Sequence, residues 1–277
     1  MKISSTTELL DCAVHAARTA SAHAWAERHR RQEVQQHAAH DVKLVLDHEC
    51  QMKAAAVIHA RFPDHSILGE EASHDRDASR PRWIVDPIDG TVNFAHGWPL
   101  WCTSVAVEHE GRTLAGAICA PALDECYTAT CDQPALLNGL PIAVSTVDRL
   151  AEALIMTDTN KEPQDFDAGT RLYGRFLHQA RKARVMGSAA LDICRVACGQ
   201  GEGYTALGIY PWDTAAAALI VEQAGGRFEI IEQLDDLRFR AIASNGHLHD
   251  EIRTVFLSVL AEGPAQAGGR KQGGSAR

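Results

Sequence analysis

An apolar run that stops on two carboxylates constrains this chain more than any other stretch. In Arg82-Trp83-Ile84-Val85-Asp86-Pro87-Ile88-Asp89-Gly90-Thr91 the apolar residues predict a strand ending at Asp86. Pro87 removes a backbone donor there and is expected to stop ladder pairing. Asp89 follows three residues later, and Gly90-Thr91 would open a helix or turn with backbone N–H groups available. Two carboxylates at a strand's end can share hard cations, and N–H groups beside them can receive a phosphate. The competing reading is a plain turn, since Asp, Pro and Gly are turn residues in any case.

Two other segments bear on that choice. Ser66-Ile67-Leu68-Gly69-Glu70-Glu71 sets acidic residues directly after a short predicted strand. Tyr210-Pro211-Trp212-Asp213 leads into an Ala-rich helix ending at Gly225-Gly226, with Asp213 expected at its N-cap. Each has its ordinary explanation: solvated loop charges for Glu70 and Glu71, and a helix cap worth ~1 kcal/mol for Asp213.

Around these segments helices and strands alternate. Helical spacing covers 5–30, opened by Ser and Thr caps, and again about Glu49–Arg61, Gly169–Ala183, Ser188–Cys198, Thr214–Ala224 and His249–Leu260. Strands are expected at Ser66–Leu68, Trp83–Val85, Thr103–Val107, Leu114–Cys119, Cys126–Ala129, Ala153–Thr157, Phe228–Ile231 and Ala241–Ala243. Glu110-Gly111 and Asn138-Gly139 mark turns. No linker and no internal repeat interrupts this order, so the expectation is one layered α/β domain over 1–262 and a disordered tail over 263–277.

Charge narrows the function classes. The 277 residues carry 27 Lys plus Arg against 36 Asp plus Glu, a net −9. Removing the tail's three basic residues, Arg270, Lys271 and Arg277, leaves −12 on 1–262. So acidic a body argues against non-specific binding to nucleic acid or an anionic membrane. No apolar window is long enough to span a bilayer, and the N-terminus lacks a signal-peptide h-region. The eight cysteines form no C-x-x-C and are read as thiols rather than a disulfide framework.

Taken together, Gly69-Glu70-Glu71, Asp86-Pro-Ile-Asp89-Gly90-Thr91-Val-Asn93-Phe94 and Trp212-Asp213-Thr-Ala-Ala resemble the inositol monophosphatase family, in order and in spacing, over roughly 5–260. The resemblance implies a layered αβαβα sandwich and a cytoplasmic, homodimeric, lithium-sensitive, Mg²⁺-dependent phosphatase with two or three ions per site. It implies Glu70, Asp86 and the Ile88 carbonyl as ligands of a first ion, and Asp86, Asp89 and Asp213 as ligands of a second. A third, weaker ion would also use Glu70. Glu70 and Thr91 would orient the attacking water, with Asp47 hydrogen-bonded to Thr91. Gly90 and Thr91 N–H groups would hold the phosphate, and Gly187, Ser188 and Ala189 would contact the substrate's alcohol portion, beside Asp89 and Asp213. The implied reaction is hydrolysis of a small phosphorylated polyol, sugar or amino alcohol by direct attack of metal-activated water. All-oxygen ligation suits Mg²⁺, and no Cys or His falls in these motifs.

The chain departs from the family pattern in places. Lys43 and Leu44 stand in Asp41-Val-Lys43-Leu44-Val-Leu-Asp47, which bears on the third ion. Asp132-Gln-Pro-Ala-Leu-Leu-Asn138-Gly139 replaces a glycine-rich turn. Ala206 occupies the position of a Glu that contacts inositol hydroxyls, which weakens a preference for inositol phosphate. Val92-Asn93-Phe94 matches the inositol and sugar phosphatase branch rather than the nucleotide-cleaving one. Asp192 is read as a substrate contact or a helix-surface acid. Histidinol phosphate, fructose 1,6-bisphosphate and a 3′-phosphonucleotide remain candidate substrates. The reading from another class is a non-catalytic metal-binding relative acting through a protein or RNA partner. His37, His40 and His48 are read as solvated, His96 and Trp98 as lining the site mouth or packing, and Cys194 with Cys198 as a buried helix face.

Overall fold

Ser5 closes a capping box with Glu8: its Oγ accepts from Glu8 N at 3.3 Å, and Glu8 Oε2 accepts from Ser5 N at 3.1 Å. From that cap runs α1 (Thr6–Ala26), whose Leu9, Ala13, Ala16, Ala17 and Ala20 form one buried stripe. The computed structural model describes residues 4–37, 42–71, 80–158 and 165–262. His40, Asp41 and the 263–277 tail lie outside them, as does the side chain of His37.

After α1 comes a short antiparallel ribbon of β1 (Val34–His37) and β2 (Val42–Leu44), then α2 (Val45–Arg61). A seven-stranded sheet follows: β3 (Ser66–Gly69), β4 (Arg82–Asp89), β5 (Cys102–His109), β6 (Arg112–Ala120), β7 (Glu125–Thr130), β8 (Gln133–Leu137) and β9 (Leu140–Pro141), in that spatial order. Only β3 and β4 are parallel; every other neighbour pair is antiparallel. The short helix α3 (Thr91–His96) leaves the end of β4.

The second half builds a five-stranded sheet from β10 (Leu154–Thr157), β11 (Lys182–Arg184), β12 (Gly203–Ile209), β13 (Arg227–Gln233) and β14 (Phe239–Ser244), ordered β11-β10-β12-β14-β13. Its helices are α4 (Phe166–Gln179), α5 (Ala189–Ala197), α6 (Pro211–Gln223) and α7 (His249–Ala261). Helices α1 and α2 cover one face of the large sheet, α5 and α6 fill the space between the sheets, and α4 and α7 cover the outer face of the small sheet. The layers are helix, sheet, helix, sheet, helix, as expected. Three apolar clusters fill the four interlayer spaces: one lies under α1 and α2, one under α4 and α7, and the largest runs along both sides of α5 and α6.

Several local expectations are corrected. Strand β4 does not end at Asp86; it continues through Pro87 to Asp89 by means of a bulge. Helix α2 begins at Val45, so Asp47 lies in its first turn rather than ahead of it, and accepts from Leu44 N at 2.7 Å. The helix expected to reach Ala183 stops earlier. No proline interrupts that stretch, yet α4 ends at Gln179 because Lys182–Arg184 pairs with β10 as a parallel edge strand. Among the described residues no helix is long and apolar enough to cross a membrane.

Candidate active site

The bulge in β4 creates the site. Asp86 pairs with Ser104 and Asp89 with Cys102, so three steps along β4 oppose two along β5. In a regular strand residues three apart point to opposite faces. The extra residue restores a common side, and both carboxylates converge. Pro87 has no N–H to lose from the ladder, and its carbonyl accepts the Thr103 hydroxyl at 2.7 Å instead. Asp86 Oδ1 accepts from Ile88 N at 3.0 Å, which fixes the turn between the two acids.

Asp213 arrives from the other half of the chain. Tyr210 is the N-cap of α6 and Pro211 its first residue, so Asp213 sits one turn inside rather than at the N-cap. Pro at the first helical position is pre-set in φ and needs no acceptor, which starts the helix early. Asp213 Oδ2 accepts from Tyr210 N at 3.0 Å. Carboxylate oxygens of Asp86, Asp89 and Asp213 all lie within 4.8 Å of one another.

Asp89 is held by the start of α5. Ser188 Oγ donates to its Oδ2 at 2.5 Å, Ala190 N to the same oxygen at 2.9 Å, and Ala189 N to Oδ1 at 3.3 Å. The Cys102 thiol also points at Oδ2, at 3.7 Å. Burial, then the Asp89 charge, pushes that thiol well above its ordinary range. The neutral thiol is thus a further donor to Asp89.

Glu70 follows β3, and its N–H donates to Val85 O at 3.3 Å, next to Asp86. Its carboxylate is not part of the close three-acid group. Lys43 Nζ forms an ion pair with Glu71 Oε1 at 2.7 Å, so the lysine that departs from the family pattern neutralises Glu71. The Thr91 hydroxyl donates to Ile88 O at 2.9 Å. Gly90 has φ +90°, and a Cβ there would stand 2.8 Å from Leu100 O, so only glycine fits.

Asn93 is a motif residue to which the sequence assigns no role, and the structure gives it one. Its amide donates to Leu100 O and to Met186 O, both at 2.8 Å. One side chain thereby joins α3, the loop after it and the Gly187-Ser188 segment. Gly187, at φ +84°, leaves room for it: a Cβ would lie 3.0 Å from Asn93 Nδ2. Nothing in the spacing of Thr91-Val-Asn93 distinguishes this clamp from a polar helix residue.

Beneath the acids lie Asp192 and Tyr204. Asp192 is 3% exposed, which corrects the helix-surface alternative. Burial, then Asp89 and Asp158, raises its carboxyl well above the usual range. The Tyr204 hydroxyl is buried without a hydrogen-bond partner among the described residues, and faces the charges of Asp158, Asp192, Asp213 and Asp89. Ala206 is buried two residues along β12. His48, His96 and Trp98 are exposed, and Cys194 is buried.

The donor set can be tested for a metal on its own chemistry. Two carboxylates ~4–5 Å apart repel by a few kcal/mol at an effective dielectric of ~20, and three repel more. The N-termini of α5 and α6 offset part of that charge. A hard cation offsets the rest, and an all-oxygen set of this kind fits one. A layered fold with an oxygen-only acidic cluster where the end of β4 meets the middle helix layer defines a class, the metal-dependent phosphatases.

The comparisons agree with it. The model of the inositol monophosphatase family matches residues 5–259. Inositol monophosphatase 3 of Solanum lycopersicum is 35% identical over 267 residues, covering 93% of this chain and 98% of the relative. A fructose-1,6-bisphosphatase/inositol-1-monophosphatase of Thermotoga maritima is 34% identical, covering 80% of this chain and 85% of its own. The solved inositol monophosphatase from Anabaena superposes with a TM-score of 0.80 at 30% identity, covering 93% of this chain and 97% of that one. The chain belongs to the inositol monophosphatase family, whose members are phosphoric monoester hydrolases.

Proposed function

We propose that the chain is a Mg²⁺-dependent phosphomonoesterase acting on a small phosphorylated polyol, sugar or amino alcohol. The observation that carries this is the convergence of Asp86, Asp89 and Asp213 within 4.8 Å. Those three, with Glu70 and the Ile88 carbonyl, would hold the ions. Bound there, Mg²⁺ neutralises the phosphate, lowers the pKa of the attacking water and stabilises the leaving oxygen.

The chain's own groups do the rest. The first-turn N–H groups of α3, with Gly90 and Thr91, have no intrahelical acceptors and are offered to the phosphate. Glu70 and Thr91 orient the attacking water, and Asp47 at the start of α2 supports Thr91. Ser188 and the α5 N-terminus keep Asp89 in one orientation. Gly187, Ser188 and Ala189 border the alcohol portion of the substrate.

Ala206 cannot accept a hydrogen bond from a sugar or inositol hydroxyl, which favours a substrate other than myo-inositol phosphate. A relative from Thermotoga maritima named as a fructose-1,6-bisphosphatase/inositol-1-monophosphatase supports keeping fructose 1,6-bisphosphate among the candidates. The family kinship supports a homodimer working in the cytoplasm; sedimentation equilibrium tests the first of these.

The deciding experiment is phosphate release from a panel of phosphomonoesters with and without Mg²⁺, beside Asp86→Asn. Release should require Mg²⁺, fall by ~10²–10³-fold or more in Asp86→Asn, and be inhibited by Li⁺. No release from any ester, or release unchanged in the variant, would overturn the reading.

A further inference from the structure

We propose that Cys119 and Cys126 are a reversible redox-modification site, closing to an intramolecular disulfide by exchange with a low-molecular-weight disulfide. The two residues stand directly opposite each other on antiparallel β6 and β7. Cys126 gives both backbone groups to the other side: its N–H donates to Asn138 Oδ1 at 2.9 Å, and its carbonyl accepts from Asn138 N at 2.9 Å. In an antiparallel strand a residue's N–H and C=O point the same way, so Cys126 spends neither on Cys119. The pair is therefore of the non-hydrogen-bonded kind, in which Cα atoms are about 4.5 Å apart and side chains come closest. That distance lies within the ~4.4–6.8 Å range that disulfides span. Both thiols are free here, and each perturbs the other's titration.

Reactivity is divided between them. Arg18 of α1 lines the same recess, and its charge acts on Cys126 and, more weakly, on Cys119. Cys119, together with Arg18, outweighs burial and lowers the Cys126 thiol below its ordinary value. Cys119 is pushed the other way, by Cys126 and by burial. The pair is thus polarised, with Cys126 as the more acidic thiol beside Arg18 and Cys119 as its neighbour, which suits an attacking and a resolving cysteine. Burial pushes Cys12, Cys50, Cys102, Cys194 and Cys198 upward instead. Cys119 and Cys126 are only 4% and 8% exposed, and with Arg18 they line the floor of a surface recess of about 420 Å³, the side from which a small disulfide would approach.

The steps balance. The Cys126 thiolate attacks one sulfur of RSSR, forming Cys126–S–S–R and expelling RS⁻. Cys119 then attacks the Cys126 sulfur, its proton leaves with the second R-thiol, and the protein disulfide closes. Two protein sulfurs are oxidised while one small disulfide is reduced to two thiol equivalents. Cys119 is also the ladder partner of Thr103, whose hydroxyl holds the Pro87 carbonyl, so the crosslink would form one strand from the β4 bulge.

The test treats the full chain with oxidised glutathione, quenches with acid and maps peptides by mass spectrometry without reduction. A Cys119–Cys126 linked peptide should form and disappear with dithiothreitol. Cys119→Ser should stop at a glutathione adduct on Cys126, since the resolving thiol is gone. Arg18→Met should slow iodoacetamide alkylation of Cys126 at neutral pH several-fold while circular dichroism stays the same. Glutathione adducts or other linkages without the Cys119–Cys126 peptide would overturn the proposal. So would a Cys126 alkylation rate unchanged by Arg18→Met.

Discussion

Ser188 Oγ donates to Asp89 Oδ2 at 2.5 Å, joining residues 99 positions apart in the chain. The serine is 1% exposed, and it precedes the helix whose first N–H groups meet the same carboxylate. One acid is thus gripped by a hydroxyl and a helix N-terminus together, with an oxygen still within 4.8 Å of those of Asp86 and Asp213.

Ser188→Ala removes one of those grips and leaves Ala189 and Ala190 in place. A lost hydrogen bond to a charged group costs about 1.5–3 kcal/mol, and supporting partners of metal ligands change metal affinity by ~10–100-fold. The Mg²⁺ concentration for half-maximal phosphate release should rise by that factor. A Mg²⁺ titration at saturating substrate checks it; an unchanged midpoint would detach Ser188 from ion binding.

Asn93→Ala should loosen two segments at once, because one amide holds both Leu100 O and Met186 O. Two hydrogen bonds at about 1 kcal/mol each set the stability loss near 2 kcal/mol. Activity should fall by more than that stability loss explains, since Gly187 and Ser188 lose their tie to α3. Urea unfolding and kcat/KM on the same preparation separate the two effects.

Much of the fold and site is legible in the residues alone. The strand-then-carboxylate pattern at 66–71 and 82–89, and the Ala-rich helix behind Asp213, each show in local composition. So do the positive-φ turns at Glu110-Gly111 and Asn138-Gly139. What stays hidden depends on partners distant in sequence. The bulge that aligns Asp86 with Asp89 is set by Ser104 and Cys102 on β5. Strand β11 exists because β10 offers an edge. The grip of Ser188 on Asp89 spans both halves of the chain. Periodicity reports which face a residue takes, and it carries no information on which neighbour will meet it.

Asp192→Asn should stabilise the metal-free protein. Burial, then Asp89 and Asp158, raises the Asp192 carboxyl, so its ionised form is the disfavoured one in the fold. A group whose folded pKa lies above its unfolded value loses stability as pH rises past the unfolded range, near 3.8 for Asp. At neutral pH with chelator present, the amide should therefore raise Tm, and the gain should vanish in acid below that range. Thermal scans of both proteins across pH provide the measurement. An equal or lower Tm for the variant at neutral pH would contradict it.

His249 should give the outer layer a pH dependence of the opposite sign. Its Nε2 meets Glu229 Oε2 at 2.7 Å and its Nδ1 meets Ser244 Oγ at 2.8 Å. A carboxylate only accepts, so Nε2 carries the proton and Nδ1 receives the serine hydroxyl. Burial lowers the imidazole from its ordinary value of 6.5; the bond to Glu229 and the Asp250 charge oppose this, and Arg227 adds to it. Burial would raise Glu229, but hydrogen bonds from His249 and Arg253 outweigh it and hold that carboxyl down. With the folded His249 value depressed, the unfolded chain binds the proton first as pH drops. The stability is complete above about 6.5 and is lost as pH falls from there toward the folded value. His249→Gln keeps a donor for Glu229 and cannot titrate, so its stability should fall less than the parent's between pH ~7.5 and ~5.5. Urea unfolding at several pH values reads the difference, in which the other histidines cancel. Parallel curves for parent and variant would remove His249 as the source.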